Sequence, residues 1–208
     1  MLILFQGDSV TDAGRSREND DMLGLGYPRM VEAALGLEEP TKYEFVNRGV
    51  SGDRVVDLYA RIKRDLINIK PDLLSILIGV NDAWHDLGDD PNGVDTEKYY
   101  KIYDMLIEEI KAALPEVKIM ILEPFCLKGS LTENGWEQFR SEVRARGVAA
   151  EKIAKKYNFP FVKLQDGFDE LSKIKEESYW LKDGVHPTAK GHEFIKNEWI
   201  KAFRMLEL

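Results

Sequence analysis

Two segments at opposite ends of the sequence carry the side-chain types of nucleophilic catalysis. Near the N-terminus the apolar residues 2–5 lead directly into Gly7-Asp8-Ser9-Val10-Thr11-Asp12. Ser9 therefore falls where a strand gives way to a helix. Gly7 permits a sharp turn there, and the first N–H groups after it would stabilise negative charge beside the serine oxygen. Ser or Asp at such a junction serves equally well as a plain helix cap. The segment departs from the G-x-S-x-G elbow, because Thr11 occupies the second glycine position, and an α/β-hydrolase is disfavoured. Near the C-terminus, Asp183-Gly184-Val185-His186-Pro187-Thr188 sets a carboxylate three residues before a histidine in a loop closed by proline. Such a carboxylate would hold one ring nitrogen of His186 while the other takes the Ser9 proton, giving the chain order Ser, Asp, His. Standing alone, the segment equally suits a surface loop with an incidental histidine.

Two further turns offer neutral hydrogen-bond donors, Asn47-Arg48-Gly49-Val50-Ser51-Gly52-Asp53 and Ile78-Gly79-Val80-Asn81-Asp82. A glycine N–H and an asparagine amide suit an oxyanion that develops on an ester carbonyl. Gly and Asn are also ordinary turn residues, and Asn81 or Asp82 would cap a following helix. His85 and His192 form neither H-E-x-x-H nor a close Cys/His spacing, and Cys126 is the only cysteine, so no metal site is expected. His192 is expected to pack or cap on the last helix, and Cys126 to be a buried thiol.

The elements that must position these residues follow from periodicity. Short apolar runs at 2–5, 43–46, 73–78, 117–122 and 159–162 read as five strands, the last confined to an edge or a strand start by Pro160. Helical spacing appears at about 27–36, 53–69, 99–110, 136–157 and 188–205. Alternating strands and helices predict an α/β three-layer sandwich around a five-stranded parallel sheet. The expected order is the flavodoxin-like 2-1-3-4-5, with the functional crevice beyond the carboxyl ends of the strands. The polar stretches 86–95 and 128–135 follow strand ends and are expected to be exposed loops walling that crevice.

No repeat or long linker divides the chain, so residues 1–208 are expected to form one domain. Hydrophobic residues at 44% and charged residues at 32% match a globular protein of this size. The formal charge of −8 argues against nucleic acid or an anionic membrane as partner. No basic leader precedes the first strand, and no apolar run reaches the roughly 18 residues of a membrane-spanning helix. With a single cysteine, the reading is a cytoplasmic protein.

Together, the four turns resemble the GDSL/SGNH hydrolase superfamily, matching its Ser, Gly, Asn and His blocks at Ser9, Gly52, Asn81 and His186 in the expected order over nearly the whole chain. The resemblance implies Ser9 as nucleophile, His186 as base and then acid, and Asp183 as its orienter. It implies an oxyanion hole formed by the N–H groups of Ser9 and Gly52 with Asn81. A narrower likeness lies in Gly7 to Arg15, in Gly24-Leu25-Gly26-Tyr27 and in Ile76 to Trp84, which resemble the acetylxylan esterase branch. Val10, where isoleucine is usual, and Ala83-Trp84-His85 are departures. This likeness implies deacetylation of small acetylated xylo-oligosaccharides by a homo-oligomer. The chemistry is that of a serine esterase with an acyl-enzyme intermediate and no cofactor. The same blocks also fit an acyl-thioesterase or lysophospholipase, and the fold alone would fit a non-catalytic binding module.

Asp8, Trp84 and Trp180 are assigned to substrate contact. Trp180 is included because it lies three residues before Asp183, although core packing is the ordinary role of tryptophan. His85 is a further candidate at the third turn, Trp136 a weaker one, and Trp199 belongs to helix core. Asp12, Arg15 and Arg54 flank the first two motifs, where they would shape a pocket or form ion pairs.

Overall fold

Alternation along the central strands decides the architecture. In the computed structural model, which describes residues 1–87 and 90–206, strand β1 (Leu2–Gly7) turns Ile3 and Phe5 to one face and Leu4 to the other. Strand β3 (Leu73–Leu77) divides Leu73 and Leu77 from Leu74 and Ile76, and β4 (Lys118–Leu122) divides Met120 and Leu122 from Ile119 and Ile121. Both faces are apolar, so both must be covered.

With β2 (Glu44–Asn47) and β5 (Phe161–Val162), these strands form an all-parallel sheet in the order β2-β1-β3-β4-β5, as the sequence predicts. β5 starts immediately after Pro160 and lies at an edge, where the missing N–H costs no ladder bond. One face is covered by α2 (Tyr27–Glu38), α7 (Gln165–Ser172) and α9 (Ala189–Arg204). The other is covered by α3 (Val55–Ala60), α5 (Thr96–Ala113) and α6 (Trp136–Tyr157). Short helices α1 (Ser9–Asp12), α4 (Val80–Trp84) and α8 (Glu177–Trp180) complete the described elements.

The helix expected at 53–69 is instead α3 followed by a separate π turn over Lys63–Ile67. Helix α5 is longer than expected because Asp95 caps it, accepting the Lys98 N–H at 2.9 Å. The helix expected to begin at Ser9 is the short α1, whereas α4, α7 and α8 were not foreseen, since they span at most eight residues, too few for an apolar period to register.

The C-terminal helix is fastened to the sheet and to α2. Trp199 is fully buried and donates its indole N–H to Ser75 Oγ at 2.9 Å, satisfying two polar groups inside apolar core. Replacing such a residue with alanine typically costs about 3–5 kcal/mol. His192 caps, as expected: its Nδ1 accepts the Tyr27 N–H at 3.2 Å, at the first turn of α2. Burial, with the nearby charges of Lys182 and His186, pushes its pKa down to about 4, so the ring stays a neutral acceptor.

Of the two expected loops, 128–135 is not wholly exposed, since Thr132 is buried. In 86–95, residues 88–89 lie outside the described residues, and Val94 is buried.

Candidate active site

The strand order reverses between β1 and β3, and the turns after β1, β2 and β3 open at that switch point. Ser9 is the first residue of α1. Its N–H and that of Gly52 have no hydrogen-bond partner among the described residues, as the free N–H groups of an anion site require. Gly52 holds φ at +87°, a conformation that disfavours any side chain. Asn81 Nδ2 donates one proton to Asp53 O at 3.0 Å, which fixes the amide and leaves its second proton available.

Buried carboxylates support these turns from below. Asp12 Oδ2 accepts both the N–H and the hydroxyl of Ser51 at 3.0 Å, and Arg17 reaches the same oxygen at 2.6 Å. Arg15 and Arg17 both donate to Gly49 O, at 2.7 and 2.8 Å. Asp12 and Arg15 thus hold the Gly52 turn against α1 rather than facing substrate. Arg54 pairs with Asp57 at 2.9 Å and also donates to Asn92 O. Asp82 is fully buried and takes the Val55 N–H on its two oxygens at 3.0 and 3.2 Å, and burial raises its pKa to about 7.

Asp8 corrects a sequence expectation. It is 1% exposed and turned inward, where Oδ1 accepts the Val10 N–H at 3.0 Å. Its role is to cap α1, so it is not a substrate contact. Burial drives its pKa up to about 7, against the hydrogen bond from Val10, and the charge of Asp53 adds to the rise.

Asp183 and His186 come from the loop between α8 and α9. His186 Nδ1 lies 2.8 Å from Asp183 Oδ2, and Nε2 lies 3.0 Å from Ser9 Oγ. Asp183 Oδ1 accepts the N–H groups of His186 and Val185 at 2.8 and 3.1 Å. Burial alone would raise the Asp183 pKa, but these N–H groups and the imidazole together hold it below the usual carboxylate value.

A knot that the sequence reading missed holds this loop. Thr132 Oγ1 donates to Leu127 O at 2.7 Å and accepts the Gly129 N–H at 2.8 Å. The same segment grips the loop bearing Asp183 and His186 through Leu127 N–H to Gly184 O at 2.9 Å and Leu131 N–H to Asp183 O at 3.0 Å. Gly184 has φ +97°, and a Cβ there would lie 2.5 Å from Thr132 Oγ1. The one sequence signal was the clustering of turn residues at 129–135.

Ser9, Gly52, Asn81 and His186 line a single crevice of about 550 Å³. Trp84 and His85 also line it, and Trp84 packs edge-to-face on Phe139 at 5.4 Å, which fixes the indole. Val80, Leu131 and Val185 give it an apolar side, and Lys182 stands at its rim. Trp180 is not among the lining residues, correcting its assignment. It ends α8, donates to Lys175 O at 3.2 Å, and lies in a separate groove with Leu171 and Phe194. The physical reason is that Leu181 turns inward between them, leaving Trp180 on the outer side and Lys182 at the crevice. Trp136 is also absent from the crevice lining and stacks with Arg140. Cys126 is buried, which raises its thiol pKa to about 12.

Among the described residues, no three His, Cys, Asp or Glu side chains converge as a metal cluster, and no helix is long and apolar enough to cross a membrane.

Comparison with known proteins identifies this architecture. The GDSL-like lipase/acylhydrolase family matches residues 5–194. An acetylxylan esterase of Geobacillus stearothermophilus is 33% identical over 96% of this chain and 92% of its own length. The crystal structure of Axe2, an acetylxylan esterase from that organism, superposes with a TM-score of 0.88 at 32% identity over 99% of this chain and 94% of its own. A GDSL-lipase-like protein from Parabacteroides merdae gives a TM-score of 0.89 at 34% identity over 99% of this chain and 96% of its own. The chain belongs to the GDSL-like lipase/acylhydrolase family and is a carboxylic ester hydrolase with the SGNH fold.

Proposed function

We propose that this esterase removes acetyl groups from small acetylated xylo-oligosaccharides through a Ser9–His186–Asp183 triad and an acetyl-enzyme. The observation that carries the reading is the continuous hydrogen-bonded series from Ser9 Oγ to His186 Nε2 at 3.0 Å and from His186 Nδ1 to Asp183 Oδ2 at 2.8 Å. His186 Nε2 takes the Ser9 proton as Oγ bonds to the acetyl carbon. Asp183 fixes the tautomer that leaves Nε2 basic and stabilises the imidazolium. The carbonyl oxygen becomes an oxyanion, received by the N–H groups of Ser9 and Gly52 and by the Asn81 amide. One such donor is typically worth about 10²–10³ in turnover. Collapse breaks the bond to the sugar oxygen, which leaves with the proton from His186. Water then attacks the acetyl-Ser9 ester while His186 takes its proton, and acetate departs as the proton returns to Ser9.

The acetylated-sugar assignment draws on the acetylxylan esterase relatives and on the placement of Trp84 beside Asn81, where an indole face offers a sugar a packing surface. Within the proposal, residues 1–208 act as one domain. The homo-oligomer implied by the family likeness is checked by light scattering, and the cytoplasmic location by cell fractionation.

The test is acetate release from acetylated xylo-oligosaccharides and from 4-nitrophenyl acetate, with Ser9→Ala as the comparison at equal folded concentration. The proposal expects turnover of both, lost by about 10⁶ in the variant. Turnover of the nitrophenyl ester alone would move the substrate to other acyl esters, with rates across acyl length separating acetylesterase from thioesterase or lysophospholipase. Undiminished turnover by Ser9→Ala would remove the triad.

A further inference from the structure

Carboxylates exceed cations in this chain by 37 to 29, yet among the described residues no carboxylate lines the crevice. Among the described residues its one formally charged lining side chain, apart from titratable histidines, is Lys182. The residue is exposed, and its ammonium has no ion-pair or hydrogen-bond partner among the described residues. Several other surface lysines are neutralised locally, as in Lys101 with Glu97 at 2.6 Å and Lys156 with Asp104 at 2.7 Å, whereas the charge of Lys182, unpaired among the described residues, stands at the crevice.

The lysine is also well anchored to the reacting centre. Its backbone N–H donates to His186 O at 2.9 Å, and a Leu181–Pro187 bridge closes the same loop. Lys182 thus starts from a fixed point one residue before Asp183, while its long stem can swing the charge over the crevice. The remaining polar side chains there, including Ser51, Asn81 and His85, can pair with hydroxyls. Among the described residues no arginine fork lines the crevice, so a doubly charged phosphate finds no bidentate partner there, whereas a single ammonium matches a monoanion.

We propose that Lys182 is a specificity-determining residue that favours esters whose alcohol portion carries a carboxylate. Resting on the acetylated-oligosaccharide reading, the substrate class is an acetylated oligosaccharide bearing a uronic acid near the acetyl group. The acetyl ester would sit at Ser9 while the uronate reaches the rim at Lys182. The lysine takes no part in bond making, so its effect lies in the choice between substrates.

The experiment measures kcat/KM for acetate release at low ionic strength on two matched pairs. One pair is a neutral acetylated xylo-oligosaccharide and the same oligosaccharide with a uronosyl branch. The other is phenyl acetate and 4-acetoxybenzoate. For each pair the acidic-to-neutral ratio is compared among wild type, Lys182→Met and Lys182→Glu, so intrinsic reactivity cancels. An exposed charge pair predicts a ratio about two- to fivefold lower in Lys182→Met, lower again in Lys182→Glu, with the differences shrinking at high salt. Ratios identical in all three proteins on sugars that are deacetylated would overturn the role of Lys182 and leave the acetylxylan reading standing. A Lys182-dependent ratio on the aryl acetates, with both sugars untouched, would overturn the carbohydrate reading and keep the preference for an anionic alcohol.

Discussion

The two halves of the site are held by opposite means. The proposed nucleophile Ser9 and the three proposed donors sit on turns after β1, β2 and β3, rooted in the sheet and supported by the buried Asp8, Asp12 and Asp82. His186 and Asp183, the proposed base and orienter, sit on an irregular loop whose geometry depends on one threonine knot and on backbone bonds from residues 127 and 131. The carboxylates also differ in sign. Asp8 and Asp82 are pushed above their ordinary pKa by burial, whereas donated hydrogen bonds hold Asp183 below it. A rigid platform thus carries the part that receives charge, and a clamped loop carries the part that moves a proton.

The largest expected effect breaks the loop side chemically. Asp183→Asn should lower kcat by about 10⁴ by presenting the wrong tautomer, while circular dichroism and Tm stay near wild type. Near-normal turnover would transfer the orienting role to another group.

A pair of glycine substitutions then compares the supports. Gly184→Ala meets both an unfavourable φ of +97° and a Cβ position 2.5 Å from Thr132 Oγ1, whereas Gly52→Ala meets an unfavourable φ of +87° with no atom within 4 Å. Gly184→Ala should therefore cost more thermal stability. Displacing His186 by about 1 Å would lower kcat by about 10². Equal losses of Tm in the two variants would mean that the knot does not constrain the loop.

The smallest effect falls on stability alone. Asp8 has a folded pKa of about 7 against an ordinary 3.8, so between those values the folded state binds more protons than the unfolded state. Stability contributed by protonated Asp8 is present at low pH and declines as pH rises from about 4 to about 7, by on the order of a few kcal/mol. Asp8→Asn should flatten that decline and raise Tm at pH 8 relative to wild type, as read by thermal melts across pH. Asp183 contributes in the other direction, its stabilisation being lost as pH falls below the ordinary carboxylate range. An unchanged slope in Asp8→Asn would place the titration elsewhere.

The sheet order was legible because the alternation of strands and helices is a local signal, whereas the four turns, each alone fitting ordinary turn chemistry, were read together only through their resemblance to the GDSL/SGNH blocks. Trp180 and Asp8 were misplaced for a reason that local spacing does not carry. Proximity in sequence to Asp183 or Ser9 does not reveal which way a side chain turns, and Leu181 and the cap on Val10 decide that in three dimensions. Thr132 gave no sign of its role, since its partners are loop carbonyl and amide groups created by the fold itself. The grip of Asp12 on Ser51 spans 39 positions, and its partner was equally invisible, although Asp12 itself drew attention with Arg15 and Arg54 as a charge near a motif.

The contact between His186 and Ser9 joins residues 177 positions apart. During synthesis the proposed nucleophile emerges early and waits for its proposed base until the intervening residues have been made. The loop that must close spans 177 positions, so its entropic cost is met only after the sheet has drawn its ends together. A ribosome-bound chain halted before residue 186 would be esterase-silent even with its first three strands paired. Hydrolysis during translation would therefore act as a clock for completion of the fold.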